Sequence, residues 1–563
     1  MIILRDVLSP AAMSQSIKRT IPLTLAFLAG AIVVLPAILF GMPNNNDLAN
    51  HYHFAIPFYE ALRHGDLYPG IFASPNYGYG DVVVRFYPPA LYYLLAAGRF
   101  ISGNWYAGSL LAMTLVSALG SLGAYFWARC YVPRNLAIAA GFFYALMPYH
   151  LAEFAAGAAL LFALAFTKRV CDQNRWRDVA GLATAYGALV LSHLPLAVFG
   201  SITLLLYAVM SLPRTHIKRA LIKLTIAVLI GLGASAFYWV TMVAEMKWIV
   251  ADGANPDPLL DYSHNFVFST FSPSQQETIW WMGLLAIATG LMCIPAVVAA
   301  LSGFRGRHQR SLAAVSILLA FSFLMSTAVS KPLWAVIPYL RMAQHPFRWL
   351  AVTSVIAPVL MAGAMPFWRE RLHGHRRPLA LAMGGCVLIA IAFSLTQTVR
   401  GATYLSRSTF DQTIAPLRES PGIIQWLPVW AGASAQNKAS YEKCSPPLGG
   451  FDKVGAGARA INLIEWDDTK RSFFVAAGAP VDARVATFYY PHWVATANGK
   501  NLQTHPAPDG ALMITLPADS VTINLEFREP SRTKIADIFS IISWTLVASL
   551  LIFGRFAATR TGP

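Results

Sequence analysis

Long apolar blocks alternate with short polar stretches along most of the chain. Blocks such as residues 21–40, 224–243 and 279–301 reach the roughly 20 residues that cross a bilayer core. The pattern predicts spans near 20–41, 106–128, 134–150, 153–168, 178–193, 195–211, 220–243, 278–301, 311–329, 346–367, 378–396 and 537–556. Residues 86–100 are apolar enough to enter a membrane but short for a crossing. If they cross, parity asks for a further crossing, with 332–340 the weak candidate. The expected fold class is a polytopic α-helical membrane protein with about 12–14 transmembrane helices.

The pattern changes over residues 397–536, where the long apolar blocks stop. Residues 471–477, 483–490 and 512–526 are rich in Val, Phe, Thr and Ile and read as strands. Asn498 and Gly499 form a hairpin-type turn. The expected organisation is a bundle over 1–396 with a long first outer loop, 42–105. A small, mainly β extracytoplasmic domain follows over 397–536, then a last helix and cytoplasmic tail over 537–563.

Composition sharpens this. Of 563 residues, 56% are hydrophobic and 12% charged, against about 45–50% and 25% in soluble domains. The net charge of +16 invites a nucleic-acid partner, but its placement excludes one. The basic residues cluster in loops between apolar blocks: Arg129 and Arg134, Lys168 to Arg177, Arg214 to Arg219, Arg305 to Arg310, and Arg369 to Arg377. Such loops face the cytoplasm, which puts 42–105, 150–152, 193–194, 244–277, 330–345 and 397–536 outside. Lys18 and Arg19 precede a full-length apolar block with no small-residue cleavage site after it, so the N-terminus reads as a retained signal anchor. The five cysteines show neither metal-ligand spacing nor a disulfide framework.

Charged groups at a membrane are costly, so their clustering is informative. Four clusters fall on the expected outer side. The first is NNNDLANHYHF (44–54), with Asp47, His51 and His53. Asp47 and His51 are four apart and share a helix face. A carboxylate beside an imidazole suits general-base work or metal binding; the alternative is a solvated loop. The second is the Gly-, Pro- and Tyr-rich stretch 60–94, which holds Arg85 and Tyr87. Its tyrosines suit the headgroup belt, while its length points to function. The third comprises two tight junctions: MPYHLAEF (147–154) with His150 and Glu153, and SHLP (192–195) with His193. The fourth is YLRMAQHPFRWL (339–350), where Arg341, Gln344, His345 and Arg348 open a span. A helix start with a nearby Arg suits a phosphate; snorkelling to headgroups is the alternative.

Five stretches in order carry a family resemblance: DLANHYHF (47–54), ALRHGDLYP (61–69), NYGYG with RFYPPALYYL (76–94), PYHLAEF (148–154) and QHPFRWL (344–350). YYPHWVATANGK (489–500) adds a strand-turn-strand, with His492 where Gly is usual. The chain resembles GT-C type membrane glycosyltransferases. Within that class it is similar to bacterial membrane proteins described as related to 6-pyruvoyl-tetrahydropterin synthase.

The resemblance implies an inverting transferase moving a hexose or pentose. The sugar would pass from a polyprenyl-phosphate donor to an extracytoplasmic glycan, lipid or protein acceptor, with membrane lipid as the further partner. It implies Asp47 as general base and Arg348 on the leaving phosphate, helped by Arg341, His345 or Arg85. His51, Glu153 and His193 would shape the acceptor pocket or tune Asp47, with His53, Tyr87 and Gln344 as further substrate-binding candidates. The class admits a divalent metal, although the sequence offers no convincing ligand set. The implied location is the bacterial inner membrane, multi-pass, with the site facing the periplasm or cell exterior. The alternatives are a transporter or flippase of lipid-linked cargo, and a non-catalytic envelope-assembly protein.

Overall fold

The computed structural model describes residues 10–44, 47–153, 157–250, 261–269, 276–302, 309–373, 375–420, 422–423, 426–431 and 453–554. The first helix, α1 (Pro10–Ala31), continues through a 3-10 turn into Leu35–Phe40. Two helices of the first loop follow, α2 (Leu48–Arg63) and α3 (Ala90–Ser102). Next come α4 (Trp105–Ala128), α5 (Arg134–Ala145), a short helix Pro148–Glu153, α6 (Ala158–Gln173) and α7 (Trp176–Ser192). After them run α8 (Leu194–Ser211), α9 (Ile217–Ala234), α10 (Ala236–Glu245), α11 (Gln276–Leu301) and α12 (Gln309–Met325). Then α13 (Trp349–Arg371), α14 (Arg377–Thr396) and, at the end, α15 (Ser531–Phe553) complete the membrane portion.

The chain is a polytopic helical membrane protein with a β unit before its last long helix. Among the described residues, seven helices are long and apolar enough to cross a bilayer, or eight if α9 and α10, bent by 72°, form one broken span. The larger number read from the sequence counts α5, α6, α7 and α12 as crossings. These have 12, 16, 17 and 17 residues, short of the usual roughly 20. Residues 86–100 become α3, a 13-residue helix. The 332–340 stretch is two short helices, Lys331–Val336 and Pro338–Arg341.

Small residues set the packing. The buried face of α4 carries Gly108, Ser109, Ala112, Ser117, Ala118, Gly120 and Gly123, and α1, α3, α5 and α6 pack against α4. Small side chains let helix backbones approach in a membrane. A Cβ on Gly30 of α1 would lie 2.3 Å from the Ser117 carbonyl oxygen. Helix α13 lies at the centre, with every residue from Trp349 to Ala362 buried.

A two-stranded pair, β1 (Met42–Pro43) with β2 (Tyr404–Leu405), fastens the start of the first loop to the chain after α14. Gly41 enters it at φ +119°, with Leu405 backbone where a Cβ would sit, so only glycine fits.

The β unit has two antiparallel sheets. One orders β3 (Val454–Gly455), β6 (Val481–Phe488), β10 (Ala511–Leu516) and β9 (Thr504–Pro506) as β3-β6-β10-β9. The other contains β4 (Ile461–Trp466), β5 (Lys470–Val475), β11 (Val521–Phe527), β7 (Trp493–Ala497) and β8 (Lys500–Leu502), in the order β4-β5-β11-β7-β8. Phe473, Val475, Ile523 and Leu525 of one sheet and Val485, Leu512 and Ile514 of the other belong to one buried cluster. The expected strand over 512–526 is two strands, broken around Pro517, Asp519 and Ser520, residues that favour turns. Asn498 (φ +49°) and Gly499 (φ +75°) form the two-residue turn of the β7–β8 hairpin.

Candidate functional site

Helix α2 starts directly after the first apolar helix and its β1 pairing. Asp47 is its N-cap residue and is exposed. The Asp47 carbonyl accepts from the His51 N–H at 3.0 Å, and its carboxylate has Asn50 Nδ2 at 3.5 Å. His51 shares that face, one turn on, with the Tyr92 hydroxyl 3.5 Å from its Nδ1 and the Tyr87 ring edge-on at 6.3 Å. Burial pushes the His51 imidazole below its usual range, and Asp47 partly opposes this. His53 is two residues further, about 200° around the helix, and does not join them. It is buried against the Leu417 carbonyl (3.1 Å), the Ser420 hydroxyl (3.2 Å) and Asp81 (3.6 Å). Its assignment to the substrate site is therefore corrected: it fastens α2 to the 417–420 turn.

Tyr87 follows the 3-10 turn Val83–Arg85. Burial raises its hydroxyl first, Asp47 raises it further, and Arg348 lowers it. The phenol thus lies within the fields of a carboxylate and a guanidinium from distant parts of the chain. His193 sits in extended backbone between α7 and α8, and its Nδ1 accepts from the Leu196 N–H at 3.1 Å. That bond keeps Nδ1 unprotonated and caps α8. Burial, then Arg348 and His51, push His193 down to about 3.

Arg348 closes the 3-10 turn Pro346–Arg348 and opens α13. Pro346 suits the first position of that turn, and the buried Trp349 and Leu350 fix the rest. Arg348 is half-buried, and among the described residues its guanidinium makes no hydrogen bond or ion pair. Its neighbour His345 stacks on Phe347 at 5.2 Å, has a buried Nδ1 without a hydrogen-bond partner, and is pushed down to about 3 by burial and then Arg348. Gln344 holds a left-handed φ of +58°, and its carbonyl accepts from Asn265 Nδ2 at 3.2 Å. The Asn265 carbonyl in turn accepts from the Phe347 N–H at 3.2 Å. Asn265 thus clamps the turn that presents Arg348. No sequence motif marks it, because it lies in an irregular loop far along the chain.

Two further candidates are corrected. Arg341 is exposed and donates to the Trp334 carbonyl at 3.4 Å and to the Ala335 carbonyl. It covers carbonyls near the end of the preceding short helix, Lys331–Val336. Arg85 is 2% exposed and saturated. Its Nε and Nη2 donate to Glu245 at 2.6 and 3.0 Å, Nη1 and Nη2 to Glu529 at 2.6 and 2.9 Å, and Nη1 to the Gly70 carbonyl at 3.2 Å. All five guanidinium N–H groups are engaged, which leaves none for a substrate phosphate. Glu245 also accepts from the Tyr490 hydroxyl (2.8 Å), His492 Nε2 (2.9 Å) and Arg532 (2.6 Å). Glu153 ends the helix Pro148–Glu153, and its side chain lies outside the described residues.

Among the described residues, no group of three or more His, Cys, Asp or Glu could hold a metal ion. Asp47 and His51 alone fall short of the three protein ligands of an open metal site. No step is assigned to a metal.

What the geometry offers is an acid, neutral imidazoles, a phenol and an unpaired cation beside the start of a buried helix. Arg348, Tyr87 and His193 lie within residues 84–404, which match the 6-pyruvoyl-tetrahydropterin synthase related domain, a membrane protein family. The chain belongs to this family. Asp47 and His51 precede the segment matched to the 6-pyruvoyl-tetrahydropterin synthase related domain. No curated protein matches the chain. Among solved structures it is similar to the Archaeoglobus fulgidus oligosaccharyltransferase in its apo form, with TM-score 0.42, 14% identity, 76% of this chain covered and 59% of that one. It is also similar to the Archaeoglobus fulgidus oligosaccharyltransferase AglB in complex with an inhibitory peptide and a dolichol-phosphate, with TM-score 0.36, 14% identity, and 77% and 60% covered. The chain spans about three fifths of the length of these two proteins.

Proposed function

We propose that this protein is a GT-C type inverting glycosyltransferase that uses a polyprenyl-phosphate sugar at the membrane surface. The observation that carries the reading is that Asp47, on the helix face where His51 meets Tyr87 and Tyr92, and Arg348, opening α13, both keep charges that are not ion-paired among the described residues. The donor tail stays in the bilayer and its phosphate meets Arg348 at the start of α13. The Asp47 carboxylate takes the proton of an acceptor hydroxyl. The acceptor oxygen bonds to the anomeric carbon as the carbon–oxygen bond to phosphate breaks on the opposite face, which inverts the configuration. The electron pair leaves with the lipid phosphate, and Arg348 stabilises the charge that develops there. His51 and His193, held neutral by burial, line the approach without competing for the base. The acceptor is an extracytoplasmic glycan, lipid or protein, and the proposed setting is a bacterial inner membrane with this face toward the periplasm or cell exterior.

A transporter asks for broken helices in paired halves. One bent pair occurs among the described residues, and the Glu245 at its end is fully bonded within the protein. The test is sugar release from a panel of labelled polyprenyl-phosphate sugars by purified protein in lipid nanodiscs, with Asp47→Asn and Arg348→Ala alongside. Turnover of one donor, reduced about 10²–10⁴-fold by loss of the base and also lost without Arg348, is the expected result. Equal turnover in wild type and Asp47→Asn would remove Asp47 from the mechanism. No turnover of any donor by folded protein, with several acceptors supplied, would favour transport or a scaffolding role.

A further inference from the structure

The short helices between α12 and α13 turn an apolar face outward. A 3-10 turn, Ala328–Ser330, runs directly into the helix Lys331–Val336. Val329, Leu333 and Val336 fall at positions i, i+4 and i+7, one side of this run, and Val329 and Val336 are 74% and 77% exposed. Ser330 and Trp334 hold the other side. Ser330 donates to the Met325 carbonyl at 3.0 Å, and the fully buried Trp334 stacks on Tyr262 at 5.8 Å. The exposed side continues through Ile337 to Met342. The Val267 N–H donates to the Ser326 carbonyl at 2.9 Å, which brings the exposed Phe268 near its start. Exposed apolar residues scattered singly are ordinary, but a contiguous patch marks a contact surface.

Position, backbone and charge all select lipid as the partner. The Ser322 and Thr353 hydroxyls meet at 3.0 Å, so the end of α12 lies beside the start of α13, the end that carries Arg348. The 17 residues of α12 reach about 26 Å, less than the roughly 30 Å of a bilayer core. The run that follows therefore begins at the edge of the hydrocarbon. Its helix end is closed, since Arg341 donates to the Trp334 and Ala335 carbonyls. Water serves such carbonyls at a solvated helix end, whereas lipid offers them no donor. No Asp or Glu occurs between Gln309 and Trp368, while Lys331 and Arg341 flank the apolar side and are exposed. Cations beside an apolar helix face are drawn to lipid phosphates.

We propose that residues 328–342 dock into the lipid leaflet on the Asp47–Arg348 side. Val329, Leu333 and Val336 enter among the outer acyl carbons, and Lys331 and Arg341 stay at the level of the phosphates. An amphipathic helix at this boundary sinks about 5–10 Å into it. The run then borders the turn that presents Arg348, so a phosphate held by its lipid tail reaches Arg348 along the membrane plane. That last consequence rests on the transfer reading above; the docking itself does not. The test is photocrosslinking of the full-length protein in phosphatidylcholine–phosphatidylglycerol nanodiscs, with benzoylphenylalanine replacing one residue at a time and adducts read by mass spectrometry. Val336 and Leu333 are the test positions. The exposed Ile389 midway along α14 is the lipid reference, and the exposed Ala518, at the end of β11 away from α15, is the solvated one. The expected result is a phospholipid adduct at 336 and 333 in a yield comparable with 389, and none at 518. No lipid adduct at 336 or 333 while 389 reacts overturns the proposal, and so does an adduct with a second copy of the protein in its place. Each variant is taken as a single species from gel filtration, and two test positions keep the result decisive if one variant fails to fold. No donor sugar is present, so the outcome stands whether or not the protein transfers sugar.

Discussion

Two groups of charged residues, both rooted in the long first loop, are handled in opposite ways. Around Arg85 every charge is satisfied: its five N–H groups meet Glu245, Glu529 and the Gly70 carbonyl, and Glu245 receives Tyr490, His492 and Arg532 as well. Arg85 and Glu245 are 2% and 0% exposed. Around Arg348 the charges are left open: Asp47 is exposed with one long contact, and Arg348 has no partner among the described residues. Burial explains the difference. A charge taken from water must be paired and hydrogen-bonded or the fold is destabilised, whereas a charge at a wet surface can wait for a ligand. The saturated group joins the first loop, α10, the β unit and the start of α15. The open group is the one available for chemistry.

Breaking the saturated group should give the largest effect. Arg85→Met leaves the buried Glu245 and the half-buried Glu529 side by side without their common cation. Removing one partner of a buried pair costs about 3–5 kcal/mol, read as loss of folded protein in a chemical unfolding titration. Asp47→Asn should change stability by less than about 0.5 kcal/mol, the usual range for surface substitutions, while abolishing most transfer. If both variants lose the same stability, the contrast between a structural and a working charge cluster is wrong.

This contrast was only partly legible in the sequence. The spacing of Asp47 and His51 places them on one helix face, and QHPFRWL marks Arg348 at a helix start; both follow from local rules. The same helical arithmetic turns His53 away, since two residues carry it to the far side of α2. Arg85 could not be sorted this way. Its partners Glu245 and Glu529 lie far along the chain, and no local pattern links them. His492, standing where the resembled family has Gly, acquires a physical reason only once its Nε2 is seen 2.9 Å from Glu245. The helical class was legible because apolar blocks are local. The crossings were harder to count, because helices of 12–17 residues lie at or below the length that spans a bilayer.

A middle-sized effect should come from Asn265. Its side chain bonds the Asp261 carbonyl at 3.1 Å and the Gln344 carbonyl at 3.2 Å. Asn265→Ala removes both bonds from partly buried carbonyls, at a cost of about 1 kcal/mol. It should also loosen the turn before Arg348. The expected kinetic result is a raised donor KM with a smaller change in kcat, measured in nanodiscs across donor concentrations. A fall in kcat alone would mean that the turn positions something other than the donor phosphate.

The last effect is in the pH dependence of stability around the open group. His193 and His345 are each pushed down to about 3 by burial and Arg348, against about 6.5 in an unfolded chain. Between those values the unfolded chain binds protons that the folded protein refuses. Stability therefore rises with pH across this window, is lost as pH falls below about 6.5, and is unaffected by these groups above it. Each refused proton contributes about 1.4 kcal/mol per pH unit. His193→Asn can still cap α8 through its side-chain oxygen but cannot titrate. It should lose less stability than wild type between pH 7.5 and 5.0, with the difference read from unfolding midpoints at each pH. Arg348→Ala removes the second cause of both shifts, so it should flatten the same dependence modestly while burial keeps most of it. An acid loss unchanged in both variants would place the titrating groups elsewhere and remove the neutral imidazoles from the account of the site.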